Sequence, residues 1–224
     1  MIELNNLNHK EALRYMGCVN GNADEKTMAL LAECEKLVID NSIPRYIYKG
    51  FNIIHLEDCI EVEGTNIILS GKDIKQHLDN CYGIVIMCAT LSMGIDTLIR
   101  KTQLEDMAKA LVVNSMSSVA IEQLCDMVEE EIHNSFNNCY KTWRFSPGYG
   151  DLTIDLQKDI LTTLNAQRKI GLCTTNSMTL TPIKSVTAII GLSHSPISPK
   201  KRGCTGCNLK EVCQYRKAGN HCVQ

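Results

Sequence analysis

From Gln103 to Phe136 the chain carries its longest stretch of helical period, with Leu104, Ala108, Leu111, Val119 and Cys125 recurring at helical spacing. At about 100° per residue, Glu122 falls at nearly the angle of Leu104 and Leu111, and Ser115 and Ser118 share that side. The expectation is an inward-facing glutamate. A carboxylate beside small polar residues on an apolar stripe points to a pocket, because an unpaired buried charge is costly and normally has a partner or a ligand. A structural glutamate paired to an arginine, or one at a frayed helix face, has the same signature.

The remaining elements are mixed. Glu11 to Met16 reads as a short helix, and Asp24 as the N-cap of a second one closed by Pro44, with Met28, Leu31, Leu37 and Val38 as its apolar face. Tyr46 to Leu56 and Ile67 to Leu69 are rich in β-branched and aromatic residues and read as strands. Gly71 to Leu78 reads as a helix and Gly83 to Ala89 as a buried strand. A helix is expected from Asp155 to Ile170, stopping at Gly171, and two strands at Ser177 to Pro182 and Ser185 to Leu192, pairing antiparallel with strands of the first half. Strands on both sides of long helices, with no regular βαβ repeat, indicate an α+β body rather than a doubly wound sheet. Neither a dinucleotide fingerprint after a strand nor GxxxxGK[ST] is present.

Composition narrows the function classes. Lys and Arg number 23 against 25 Asp and Glu, so electrostatic steering to nucleic acid or an anionic membrane is not the theme. The aromatics (3 Phe, 1 Trp, 7 Tyr) are too scattered for a base-stacking platform. The longest uncharged apolar run, Gly83 to Ile95, falls short of the roughly 18 residues of a membrane span, and the N-terminus lacks a signal-peptide pattern. A cytoplasmic protein is expected. Of 12 cysteines, eight are spread singly through the first 200 residues and read as small buried hydrophobes.

Arg144-Phe145-Ser146-Pro147-Gly148-Tyr149-Gly150-Asp151 packs two glycines and a proline into four positions. Such a segment turns sharply and brings backbone close to a ligand, while Arg144 offers a planar fork suited to a carboxylate. An ordinary turn before a helix reads the same way.

The run RFSPGYGDL at Arg144 to Leu152, then a helix, then SMTLTPIKSV at Ser177 to Val186, resembles the activation (reactivation) domain of cobalamin-dependent methionine synthase. That domain carries an Arg-x-x-x-Gly-Tyr loop and a Ser…Pro-x-x-Ser-Val strand pair. Ala89 to Asp96 and the helix with Glu122 look like the stand-alone small proteins of this family. The resemblance implies a curved antiparallel sheet flanked by helices that binds S-adenosylmethionine. It also implies a methyltransferase role, in which cob(II)alamin on a partner synthase chain is reductively remethylated, with a reductase or flavodoxin-like electron donor. Residue by residue, it places Arg144 on the ligand carboxylate, Gly148 and Tyr149 on the family Gly-Tyr, Ser146 at a backbone contact, and Glu122 on the family glutamate. No catalytic residue is assigned, and the corrinoid comes from the partner. The family's tyrosine beyond the Ser-Val strand is absent, since no Tyr occurs between Tyr149 and Tyr215. Residues 1 to 80 match loosely and receive no site residue.

The expected organisation is a domain over 1–195, a Pro/Ser and basic linker over 196–203, and a tail over 204–224. In the tail, Cys204, Cys207, Cys213 and Cys222 gather four thiols that suit one metal centre, since exposed free cysteines oxidise readily and the compartment disfavours disulfides. Their spacing is unlike paired zinc knuckles and the inferred chemistry needs an electron, which favours an iron–sulfur cluster, with zinc the alternative. A non-catalytic metal- or iron–sulfur-binding protein that covers or senses a corrinoid partner is the other class of function.

Overall fold

The computed structural model describes residues 2–18, 23–197, 211–212 and 214–217. Cys204, Cys207, Cys213 and Cys222, and most of the 196–203 linker, lie outside the described residues. The elements in chain order are α1 (His9–Tyr15), α2 (Glu25–Asn41), β1 (Arg45–His55), β2 (Cys59–Val62), β3 (Ile68–Ser70), α3 (Lys72–His77), β4 (Cys81–Thr90), α4 (Met93–Glu105) and α5 (Met107–Ser135). There follow β5 (Tyr140–Lys141), α6 (Leu156–Leu164), α7 (Ala166–Ile170), β6 (Cys173–Thr174), β7 (Leu180–Thr181), β8 (Ser185–Ser193) and α8 (Gln214–Lys217).

Six strands form one antiparallel sheet in the order β3-β2-β1-β4-β8-β5. Its central strand, β4, is buried on both faces, which explains its unbroken apolar sequence. Period-two alternation divides its side chains. Val85, Met87 and Ala89 join a core beneath α1, α2 and α5, whereas Ile84, Ile86 and Cys88 join a second core beneath α3, α6 and α7. Strand β8 continues the division, with Ala188, Ile190 and Leu192 toward α5 and Ile189 on the other side. The α+β sheet flanked by helices is the architecture that the sequence indicates.

Three of the expected elements need correction. The stretch from Gln103 to Phe136 is two helices, because Asp106 takes an extended conformation (φ −156°, ψ 109°) and its carboxylate accepts from the N–H groups of Ala108 and Lys109 as the N-cap of α5. Leu104 therefore does not share a helical wheel with Glu122. The helix expected to run to Ile170 is likewise interrupted at Asn165, which sits in the left-handed region between α6 and α7. Finally, Ser177 to Pro182 contributes only β7, which pairs with β6 in a separate two-stranded ribbon rather than joining the main sheet. On α2, the buried stripe is Leu31, Cys34 and Val38, and Met28 is exposed. Of the eight scattered cysteines, Cys34, Cys81, Cys88 and Cys125 are buried and the other four are partly so.

Candidate functional site

Residues after β5 run extended along the edge of β8, joined by reciprocal hydrogen bonds between Phe145 and Ile189. Alternation along this segment sends Trp143 and Phe145 into the α6 side of the sheet and leaves Arg144 facing α5. There the guanidinium meets three carboxylates. Nη1 donates to Glu129 (2.8 Å), and Nη2 donates to Asp126 (2.8 Å) and Glu122 (3.3 Å). The spacing 122, 126, 129 is i, i+4, i+7, which puts the three acids on one stripe of α5. Arg144 is 8% exposed, while the side chains of Glu122 and Asp126 are 50% and 67% exposed. Burial works against the arginine's charge, but Cys125, Glu129 and Asp126 outweigh it and hold its pKa above the ordinary value.

Glu122 is thus not on the inward face. Ser115 is buried and Ser118 half-buried, but Leu111 and Glu122 are exposed, so their shared angle marks the edge of the packed face. The packed side consists of residues such as Val112, Met116, Val119, Ala120 and Leu124. The pairing of Glu122 with an arginine is the alternative that spacing left open. Three carboxylates against one guanidinium leave the cluster two charges negative.

The loop that follows is held at both ends. Gly148 N–H donates to Leu152 O (2.9 Å), Tyr149 N–H to Ser146 O (3.1 Å) and Leu152 N–H to Tyr149 O (3.0 Å), so these amides satisfy one another. Gly148 has φ +91°, and a Cβ there would meet the Ile154 side chain only at ordinary contact distance (3.6 Å), so glycine is required there by conformation alone. Asp151 fastens the far end by accepting from the N–H groups of Lys72 (2.6 Å) and Asp73 (3.1 Å) at the start of α3, which pulls its carboxyl pKa down. Tyr149 is exposed and stands edge-on to Phe145 (6.2 Å). Ser146 is half-buried at the base of the loop. The structure therefore brings Arg144 and Glu122 into contact, and sets Ser146, Gly148 and Tyr149 on the loop that leads away from Arg144.

Several neighbours were not evident from the sequence. Asp126 and Glu129 are Arg144's nearer partners; their i, i+4, i+7 spacing from Glu122 was the available signal. Partial burial, and after it the charge of nearby Glu122, raises the pKa of the Tyr15 phenol on α1. Beyond Arg144, a cleft of 990 Å³ opens between the end of α5 and β5, lined by Asp126, Glu129, His133, Cys139 and Trp143 among others. At the other end of the stripe, Lys184 Nζ donates to Ser118 Oγ (2.8 Å).

Residues 89–96 have a structural explanation. Ser92 takes φ +69° and donates its hydroxyl to Ile43 O (2.6 Å), and a Cβ on Gly94 would meet the Asn41 carbonyl oxygen at 2.3 Å. Asp96, buried at the start of α4, accepts from the Ile183 N–H (3.0 Å). This segment locks the end of α2 and the Pro182 turn together. Among the described residues, no helix is long and apolar enough to cross a membrane, and no group of three or more His, Cys, Asp or Glu is arranged to hold a metal ion.

No protein-family model matches the chain, and no curated protein matches its sequence. Among solved structures, it is similar to the MetH reactivation domain, crystallised bound to AdoHcy, with a TM-score of 0.63 and 14% sequence identity. The match covers 95% of this chain and 82% of that chain. At that identity the likeness is one of fold: the six-stranded antiparallel sheet with its flanking helices is the architecture the two share.

Proposed function

We propose that this chain binds S-adenosylmethionine and supports reductive remethylation of cob(II)alamin carried by a partner methionine synthase chain. The observation that carries the reading is the Arg144 cluster, a guanidinium and an exposed carboxylate in contact on a fold shared with a domain crystallised with AdoHcy. The ligand has a carboxylate at one end and a cationic sulfonium and amino group beside it. Its carboxylate would replace Glu122, the longest and most weakly held of Arg144's partners at 3.3 Å, leaving Asp126 and Glu129 to orient the fork. Glu122, so released, would face the sulfonium and amino charges. The two negative charges in excess favour a ligand of net positive charge.

In this reading the chain positions the methyl group and does not itself react. The partner's corrinoid would supply the cobalt chemistry, with one electron from a reductase or flavodoxin-like donor and the methyl group from the sulfonium, while this chain would hold the ligand through Arg144 and Glu122 and release S-adenosylhomocysteine. Ser146, Gly148 and Tyr149 would line the ligand on the loop side. The tail cysteines Cys204, Cys207, Cys213 and Cys222 would ligate one iron–sulfur cluster, with zinc the alternative, on the strength of their spacing. Metal analysis and the visible spectrum of anaerobically purified protein test this point: iron with visible absorbance is expected, and zinc with a colourless solution overturns the cluster.

The second reading, a non-catalytic metal-binding partner in which the loop is retained as structure, draws support from Arg144 being occupied by its own carboxylates. Calorimetric titration of S-adenosylmethionine into wild type and Arg144→Ala separates the two. Saturable binding lost in the variant is expected; no heat from either protein favours the second reading.

A further inference from the structure

Lys184 is an ammonium with an unusual address. It follows the Pro182 turn, is 9% exposed, and points across the start of β8 at α5, where it donates to Ser118 Oγ at 2.8 Å. Its acidic neighbour, Asp96, does not close on it as a salt bridge, because both Asp96 oxygens are turned to the Ile183 N–H (3.2 and 3.0 Å). Burial pushes the Lys184 pKa down and Asp96 opposes the shift. An ammonium has three donors, and among the described residues its one hydrogen-bond acceptor is a neutral hydroxyl. Ser118 does not need the lysine in return, since its hydroxyl also donates to Asn114 O (3.1 Å). A cation kept out of water for so little internal return is placed where a ligand supplies the missing acceptors.

Its position says which part of a ligand. Ser118, Glu122 and Asp126 follow one another along the same stripe of α5, so Lys184 and Arg144 stand at opposite ends of it. Arg144 meets α5 from Glu122 to Glu129, four to eleven residues beyond Ser118; at ~1.5 Å rise that is about 6 to 16 Å along the helix axis, a span that includes the stretch from an amino-acid carboxylate past a sulfur to a ribose ring. We infer that Lys184 is a ligand-binding residue that donates hydrogen bonds to the nucleoside end of the ligand, to ribose oxygens or ring nitrogens, while Arg144 holds the amino-acid end. This rests on the S-adenosylmethionine reading and adds a specificity determinant to it.

The test titrates two probes, S-adenosylhomocysteine and methylthioadenosine, which share the nucleoside and sulfur but not the amino-acid end, into full-length wild type, Lys184→Met and Ser118→Ala. Lys184→Met is expected to weaken both probes at least tenfold while its Tm stays level or rises. Ser118→Ala, which keeps the charge but loosens its anchor, weakens both by a smaller factor and serves as the readout should the methionine variant not fold. If wild type binds the probes and both variants bind as tightly, Lys184 is structural and the inference falls while the parent reading stands. A loss confined to S-adenosylhomocysteine would move Lys184 to the carboxylate and overturn the nucleoside assignment. If wild type binds neither probe, the parent reading falls and the inference with it.

Discussion

The two faces of the sheet are built to different specifications. Beneath α3, α6 and α7 the core is Ile60, Leu69, Ile74, Ile86, Ile160 and their neighbours, an apolar layer without a buried charge. Beneath α4 and α5 the apolar layer is as extensive, yet the buried charged residues among those described, Asp96, Arg144 and Lys184, all lie on that side. Hydrocarbon burial holds the sheet from either side at ~25 cal/mol per Å², so stability alone does not call for the charges. One face is thus a platform, and the other carries the candidate site at its rim.

Mutations on each face sharpen that division. The largest effect belongs to the platform. Ile86→Ala, at a fully buried position, is expected to cost about 3 kcal/mol through lost contact and a cavity, read as a lower urea midpoint. S-adenosylmethionine affinity of the protein that remains folded should change less than twofold; a larger change would erase the division. Arg144→Ala is expected to act on both quantities, costing about 2 kcal/mol because three carboxylates lose their counter-charge, and abolishing detectable ligand heat. Arg144→Lys restores charge without the bidentate fork and should recover stability more fully than affinity.

Glu122→Gln comes next. It removes the weakest of the three ion pairs and one of the carboxylates offered to a cationic ligand. The preference for S-adenosylmethionine over its neutral product should narrow about fivefold at low salt, with Tm shifted by less than 2 °C, as expected of a half-exposed pair worth under ~1 kcal/mol. The smallest effect is at Asp151. Its carboxyl pKa lies below the ordinary value because the Lys72 and Asp73 N–H groups favour the charged form. The anchoring is therefore full above the unfolded carboxylate's pKa and disappears as pH falls through the lower folded value. Protection factors of the Gly148, Tyr149 and Leu152 amides, taken against intrinsic exchange at each pH, should fall over that acidic window in wild type, and should already be low and flat with pH in Asp151→Asn.

Much of this was legible from residues. The buried strand read at 83–89, the Asp24 cap, the α+β class and the Arg144 loop follow from local pattern, because burial and capping act over a few residues. The face of Glu122 was not, since exposed Leu104 and Leu111 mimicked a core stripe and Asp106 silently reset the helix between them. Arg144's partners and the Lys184–Ser118 contact join residues 15 to 66 positions apart, and only the sheet that brings β8 and the 144 segment under α5 creates them. The short β2 and β6 escaped for the opposite reason, since runs of two to four residues carry too little periodicity to read, and with β6 unseen the partner of β7 could not be read either.

The alternation at Trp143, Arg144 and Phe145 also bears on how the gene can drift. One extended tripeptide serves two cores, so its tolerance to length change depends on parity. Insertion or deletion of a single codon between Thr142 and the Phe145–Ile189 bridge would turn the guanidinium into hydrocarbon and an aromatic ring into the acidic stripe. A change of two codons would keep every side chain on its own face and alter only the slack before β5. Length variation just ahead of this loop is therefore expected to occur in even steps.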